Sequence, residues 1–135
     1  MENSIQTFTD SKGIIMALLI RAEHSGMGIK FLTKDEDYMQ VAYMGHPSGH
    51  VILPHYHNRI VRKVDYTCEA LIVRKGSMEV DLYEDMKQPT HSFVMKAGDI
   101  LALYSGGHGF KAIEDLEMVE IKQGPYQGSN DKTRF

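Results

Sequence analysis

The stretch that most strongly indicates the fold is GHVILPHYH, residues 49–57. The apolar run from Val51 to Leu53 leads into two histidines, His55 and His57, and such a run predicts a strand. Side chains on a strand alternate between its two faces, so residues two apart point the same way. His55 and His57 are therefore expected side by side, as in a metal-binding pair, with Tyr56 on the opposite face.

Two further candidate ligands, Glu69 and His108, lie downstream in runs that also predict strands. Glu69 shares a predicted strand face with Leu71 and Val73, and a carboxylate on an apolar inward face must be paired or bound to a metal. His108 shares its predicted face with Phe110, which is again apolar. Together with the histidine pair, these residues offer three imidazoles and one carboxylate, a set that suits a divalent first-row metal.

Short strand patterns separated by turn signals cover most of the chain and predict an all-β sandwich or barrel. The predicted strands are residues 14–20, 29–33, 39–44, 50–57, 67–73, 77–83, 93–95, 100–104, 108–113 and 117–121. Residues 14–20 are apolar throughout, so periodicity alone does not separate strand from helix there, and the β-branched isoleucines favour strand. The first ten residues are polar and are expected to be peripheral.

Composition limits the class of protein and its partners. A chain of 135 residues with 42% hydrophobic residues predicts one domain over residues 1–135 with a proper core. The net charge of -3, without a basic stripe, argues against nucleic acid and anionic membrane surfaces as partners. Cys68 is the only cysteine, so no intrachain disulfide can form. With no signal-peptide pattern at the N-terminus and no apolar run long enough to span a bilayer, a cytoplasmic location is expected.

The motifs together resemble the cupin superfamily of small double-stranded β-helix, or jelly-roll, barrels. The residues that carry the resemblance are Gly49, His55-Tyr56-His57, Glu69 and Gly76 in the first motif, and Ala97-Gly98-Asp99 and His108 in the second. The resemblance implies a barrel core over about residues 38–122, with peripheral N-terminal strands and C-terminal tail. Two features depart from the family: residues 58–68 form a longer spacer before the glutamate, and Ser105-Gly106-Gly107 replaces the usual proline.

The resemblance also implies a function, with the metal held by His55, His57, Glu69 and His108. Fe, Mn, Ni, Co and Zn are all acceptable to this ligand set, which leaves two adjacent positions open on an octahedral ion. The expected function is a metal-dependent dioxygenase or isomerase that acts on a small anionic or sugar-derived compound. The alternative is a non-catalytic cupin that binds a metal and a small ligand. Similar small cupins are associated with surface-polysaccharide and nucleotide-sugar metabolism.

The spacer that follows the histidine pair carries basic residues that suggest an anionic substrate. Arginine binds carboxylate or phosphate in a bidentate fork, although a solvated basic loop is the alternative interpretation. Two tyrosines are candidate proton donors. The candidate substrate-binding residues are Arg59, Arg62, Tyr66, Phe110 and Tyr126, with Lys63 beside the arginines.

The strand predicted at residues 67–73 is apolar on both faces, because Cys68, Ala70 and Ile72 lie opposite Glu69. A strand with a solvated outer face would alternate apolar with polar residues. The cover is either the N-terminal segment 14–20 or the same face of a second copy, and we favour a homodimer about a two-fold axis. Exchange of N-terminal strands between the barrels stays open. In the homodimer, Cys68 is expected to be buried and unreactive near the contact, shielded by both chains.

Overall fold

The computed structural model describes residues 3–135, and in this range the chain is nearly all-β, with antiparallel pairing and no α-helix. The elements are β1 (Ile5–Thr9), β2 (Ile15–Ile20), β3 (Gly28–Phe31), β4 (Ala42–Gly45), β5 (Glu69–Lys75), β6 (Ser77–Tyr83), β7 (His91–Lys96), β8 (Ile100–Leu103), β9 (Gly107–Ala112), β10 (Glu117–Lys122) and a 3₁₀ turn (Gly128–Asn130). Within these residues, no helical segment has the length and apolar character needed to cross a membrane. The all-β prediction is confirmed.

The strands fall into two compact units. The sandwich unit comprises the chain up to His24 together with Tyr66–Phe135, and the ribbon unit comprises Ser25–Asp65. The sandwich unit contains a five-stranded sheet in the order β1-β2-β8-β5-β10 and a three-stranded sheet in the order β7-β6-β9. The ribbon unit contains the β3-β4 pair.

The core of the sandwich unit lies between its two sheets, and strand alternation decides which side chains enter it. On β6, Met78, Val80 and Leu82 are buried, whereas Glu79 between them is exposed. The side chains that form this core are Met16, Ala17, Leu19, Leu71, Val73, Met78, Val80, Leu82, Met95, Leu101 and Leu103. Full burial of each larger apolar side chain contributes about 1.5–3 kcal/mol, so this layer is the main stabilising element of the unit.

Two tight turns hold the strands of the sandwich unit in register. Gly76, between β5 and β6, has φ +78°, and the Asp115 carbonyl leaves no room for a Cβ there. Asp99, between β7 and β8, is buried and accepts hydrogen bonds from the backbone N–H groups of Ala22 (2.8 Å) and Lys96 (2.9 Å). Arg21 Nη1 donates to the same carboxylate at 3.0 Å, so this single side chain joins the end of β2 to the β7-β8 turn.

The N-terminal region contributes more to the core than the sequence indicated. Residues 14–20 form a strand as predicted, but β2 lies second in its sheet and is buried, although the sequence placed it at the periphery. β1, in the polar first ten residues, was not predicted at all. Phe8 stacks on Phe93 at a centroid distance of 4.5 Å and packs against the core, which explains why this polar segment forms a strand.

The strand predicted at residues 50–57 is not formed, and this prediction is wrong. No strand lies between β4 and β5, and every residue from 47 to 67 is exposed. A strand requires a neighbour to take up its backbone N–H and C=O groups. Residues 50–57 pair with no strand in the part of the chain that the structure describes.

Candidate metal centre

Glu69 and His108 lie next to each other in the sandwich unit, one on each sheet. Glu69 begins β5 and lies on the same face as the core residue Leu71. His108 lies on β9 opposite the buried Leu82, so its side chain also points inward. His108 Nε2 lies 3.4 Å from Glu69 Oε2, with 32% and 13% of the two side chains exposed. The inward face predicted for Glu69 is thus confirmed, whereas His108 lies opposite the buried Leu82 with about a third of its side chain still exposed.

One carboxylate oxygen of Glu69 is able to accept a further ligand or ion. This Oε2 atom is buried and makes no hydrogen bond within residues 3–135, although it lies within ion-pair distance of His108 Nε2. The His108 imidazole lowers the pKa of Glu69, burial opposes this, and the charges of Lys122 and Lys132 lower the pKa further. Glu69 is therefore ionised at neutral pH. A buried oxygen that makes no hydrogen bond costs about 1–3 kcal/mol, and a ligand or ion bound to it would remove this cost.

The His108 ring is held in place by an aromatic neighbour. His108 and Phe110 stack with a centroid distance of 5.3 Å and an interplanar angle of 28°. Phe110 in turn packs against the hydrophobic core. Phe110 was predicted to bind substrate. In the structure it orients the ring of His108, a candidate metal ligand.

The second histidine pair lies in the ribbon unit, on the exposed segment that follows β4. The rings of His55 and His57 are neighbours, with a centroid distance of 5.4 Å and an interplanar angle of 71°. His55 Nδ1 lies 2.9 Å from the Leu53 carbonyl. Because a carbonyl only accepts, Nδ1 carries the proton, and in the neutral ring the Nε2 lone pair is free for a metal.

The four predicted ligands are thus present as two pairs, His55 with His57 in the ribbon unit and Glu69 with His108 in the sandwich unit. Within residues 3–135, no group of three or more His, Cys, Asp or Glu side chains is arranged to hold a metal ion. Each pair by itself offers two donor side chains of the types that divalent transition metals prefer.

The predicted substrate-binding residues other than Phe110 are solvent-exposed. Arg59 and Arg62 are exposed on the same segment as the His55/His57 pair, and Lys63 lies 3.7 Å from Asp65. Tyr66 and Tyr126 are also exposed, and Lys122 Nζ lies 6.0 Å from the Tyr126 ring centroid. The exposed guanidinium groups of Arg59 and Arg62 are accessible to an anion.

Two features near the candidate ligands were not predicted from the sequence. Lys122 lies opposite Glu69 in the β10-β5 register and is also 3.8 Å from Asp131. The sequence gives no signal for this, because strand pairing over fifty residues is not visible in local patterns. His46 and His50 also stack in the ribbon unit, with a centroid distance of 4.1 Å.

Cys68 is fully buried in the sandwich unit by residues of its own chain, whereas the sequence predicted its burial at a contact with a second copy. Its backbone N–H donates to Gln123 Oε1 at 2.8 Å, which connects the start of β5 to the chain beyond β10. Burial of this kind keeps a thiol away from oxidants and thiol reagents.

Comparison with known proteins adds no assignment: no family model matches this sequence, and no similar curated protein or solved structure is found.

Proposed function

We propose that this chain is a metal-binding cupin of the jelly-roll type, in which His55, His57, Glu69 and His108 bind one divalent transition metal. The observation that carries the proposal is the buried Oε2 of Glu69, which makes no hydrogen bond within the described residues and lies 3.4 Å from His108 Nε2. Unsatisfied buried carboxylate oxygens are uncommon and call for a partner. The tautomer of His55 imposed by the Leu53 carbonyl supports the proposal, because metal-binding histidines typically donate their other ring N–H in this way.

The donor set suits Fe, Mn, Ni, Co or Zn. Once bound, such an ion supplies Lewis-acid chemistry or, in the case of Fe, redox chemistry towards a small molecule. Glu69 supplies the negative charge that offsets part of the ion's charge, and Phe110 fixes the plane of the His108 ring. His55 is held by its bond to the Leu53 carbonyl, so one ring in each pair is oriented before the ion arrives.

The activity that best fits this set of metal ligands is that of a metal-dependent dioxygenase or isomerase, which acts on a small anionic or sugar-derived compound. Arg59 and Arg62 support an anionic substrate, because both guanidinium groups are exposed within a few residues of the histidine pair. Arginine forms bidentate hydrogen bonds to carboxylate and phosphate groups. Tyr66 and Tyr126 are exposed hydroxyl donors for a sugar or for proton transfer.

Metal content tests the proposal directly. Protein purified without chelator is analysed for metals, and His55→Ala with His57→Ala is compared with His46→Ala with His50→Ala. The second pair is a matched control, because it removes two neighbouring imidazoles from the same unit. We expect about one metal per chain in wild type and control, and at least a tenfold loss of affinity in the ligand variant. Equal metal content in both variants would contradict the assignment.

The identity of the metal then separates the enzyme from the non-catalytic alternative. Iron with substrate-dependent consumption of dioxygen, or manganese or zinc with turnover of a sugar substrate, supports the enzyme. A tightly held ion without turnover in a screen of anionic and sugar-derived compounds supports a cupin that binds a small ligand.

A further inference from the structure

The tail segment, residues 123–135, belongs to the sandwich unit and is anchored at two points just before β5. Gln123 Oε1 accepts a hydrogen bond from the Cys68 N–H at 2.8 Å. Asp131 Oδ1 accepts another from the Thr67 hydroxyl at 3.1 Å. β5 begins at the next residue of the chain, a candidate metal ligand, so the tail segment holds the five-stranded sheet directly beside that ligand.

The same segment contacts the three-stranded sheet just before His108. The Phe135 ring packs edge-on against Tyr83, with the centroids 5.1 Å apart and an interplanar angle of 87°. Tyr83 lies opposite Gly107 in the β6-β9 register. A Cβ added to Gly107 would lie 2.7 Å from Phe135 Cζ, so the ring occupies the space that a side chain at Gly107 would need. Gly107 begins β9 and directly precedes His108.

The stretch of chain that joins these anchors is short and runs close to the candidate ligands. The four residue steps from Asp131 to Phe135 reach at most about 14 Å even when fully extended. One anchor lies at each sheet, so the stretch limits how far the sheets separate where Glu69 and His108 meet. The His108 imidazole lowers the pKa of Glu69 most, and the charge of Lys132, within the stretch, lowers it further.

We infer that residues 131–135 act as a clasp that positions His108 beside Glu69 for metal binding, with Phe135 as the anchoring side chain. This inference rests on the proposed metal site and adds a positioning element to it. Groups that orient metal ligands without touching the ion change metal affinity by about 10- to 100-fold when they are replaced. The clasp acts through Gly107, the backbone neighbour of the ligand, and needs no contact with the ion.

The zinc affinity of Phe135→Ala tests the clasp. Phe135 lies outside the hydrophobic core and is 61% exposed, so this variant should fold, which circular dichroism checks. We expect zinc binding, measured by competition with a chelating dye, to weaken by about tenfold. Ile113→Ala is the matched control, because Ile113 follows the far end of β9 and is 56% exposed. Its zinc affinity should equal that of wild type.

A methyl group at Gly107 opens the clasp independently. Gly107 does not have a positive φ, so alanine suits its backbone, but the new Cβ displaces the Phe135 ring. Gly107→Ala should therefore weaken zinc binding by a similar factor. Added to Phe135→Ala, it should have little further effect, because the ring is already absent. Additive losses in the double variant would overturn the contact between Phe135 and Gly107 as the source of the effect.

A variant without the imidazole separates positioning from general stability. In His108→Gln the other three proposed ligands remain, and Phe135→Ala should lose most of its effect on zinc affinity, because the side chain that the clasp positions is no longer a ligand. A full tenfold loss in this background would overturn the clasp, since Phe135 would then act on zinc binding without His108.

The remaining outcomes separate the clasp from the metal site. Wild-type zinc affinity in Phe135→Ala would overturn the clasp and leave the metal site in place. If Phe135→Ala does not fold, Thr67→Val takes its place, because it removes the hydroxyl that holds Asp131 and should give a comparable loss. Wild-type protein that binds no zinc or other divalent metal would overturn the proposed function, and the clasp with it.

Discussion

Two stretches of similar apolar sequence, one in each unit, differ in burial and in strand formation. Residues 100–103, ILAL, form the central strand β8, with Leu101 fully buried. Residues 51–53, VIL, are just as apolar, yet all three are exposed in the ribbon unit, and no residue of Ser25–Asp65 is buried. β8 has strands on both sides, whereas residues 51–53 have none in the described chain. Apolar character therefore creates a strand only where a neighbour completes it.

Replacing one methionine in each unit should give the largest difference in the free energy of unfolding. Met78 is 0% exposed and Met27 is 71% exposed. Met78→Ala should lower the free energy of unfolding by about 2–5 kcal/mol through lost burial and a cavity. Met27→Ala should change it by no more than about 0.5 kcal/mol. Chemical denaturation followed by circular dichroism measures both, and equal losses would show that the ribbon unit is packed.

The Asp99 junction should give the next largest effect. Asp99→Ala leaves Arg21 and two backbone N–H groups without their acceptor, so we expect a loss of about 3 kcal/mol. Asp85→Ala is the matched control, because Asp85 is exposed and accepts one bond from the Lys87 N–H. Its loss should be about 0.5 kcal/mol. Thermal unfolding of both variants measures these losses. An Asp99→Ala protein as stable as wild type would show that the hydrogen bonds to Asp99 do not stabilise the β7-β8 turn.

Metal binding should reduce the difference in hydrogen-exchange protection between the two units. At a metal concentration of about 100 times Kd, the bound state gains about 2.7 kcal/mol. Hydrogen exchange at residues 47–67 should then slow by up to about 100-fold relative to chelated protein, while amides of the buried β6 strand change little. Mass spectrometry of peptides from both regions measures this. Unchanged exchange at residues 47–67 on metal addition would separate this segment from the metal centre.

Lys122 should have the smallest effect. Its positive charge lies opposite Glu69 in the strand register and opposes the binding of a cation. Lys122→Ala should tighten metal binding by about 0.5–1 kcal/mol, or about 2- to 5-fold, as for other partly exposed charges. Lys87→Ala, in the exposed loop after β6, is the control and should leave the affinity unchanged. Competition with a chelating dye measures both affinities, and weaker binding in Lys122→Ala would contradict this electrostatic account.

Local patterns predicted much of the fold. The alternation of Met78, Val80 and Leu82 gave β6 with its observed bounds, Ser77–Tyr83. The apolar face shared with Leu71 correctly placed Glu69 inward. These predictions succeeded because strand alternation and burial are encoded within a few residues.

The predictions that failed concern features that depend on contacts between distant parts of the chain. β1 forms because Phe8 finds Phe93 in the core, and no pattern in the first ten residues reveals that contact. Residues 50–57 have a strand pattern but no described partner, and a sequence window does not show whether a partner exists. Lys122 reaches Glu69 through the β10-β5 register for the same reason. The candidate ligands were predictable as residue types, whereas their grouping into two pairs was not.

X-ray absorption at the edge of the bound metal tests the central claim most directly. Imidazole rings give multiple-scattering features that count the histidines around the ion. Ligation by His55, His57, Glu69 and His108 predicts three imidazoles and at least one oxygen in the wild-type protein, and one imidazole after His55→Gln with His57→Gln at saturating metal. A wild-type spectrum with no more than one imidazole, or one that is unchanged in this variant, would contradict the account.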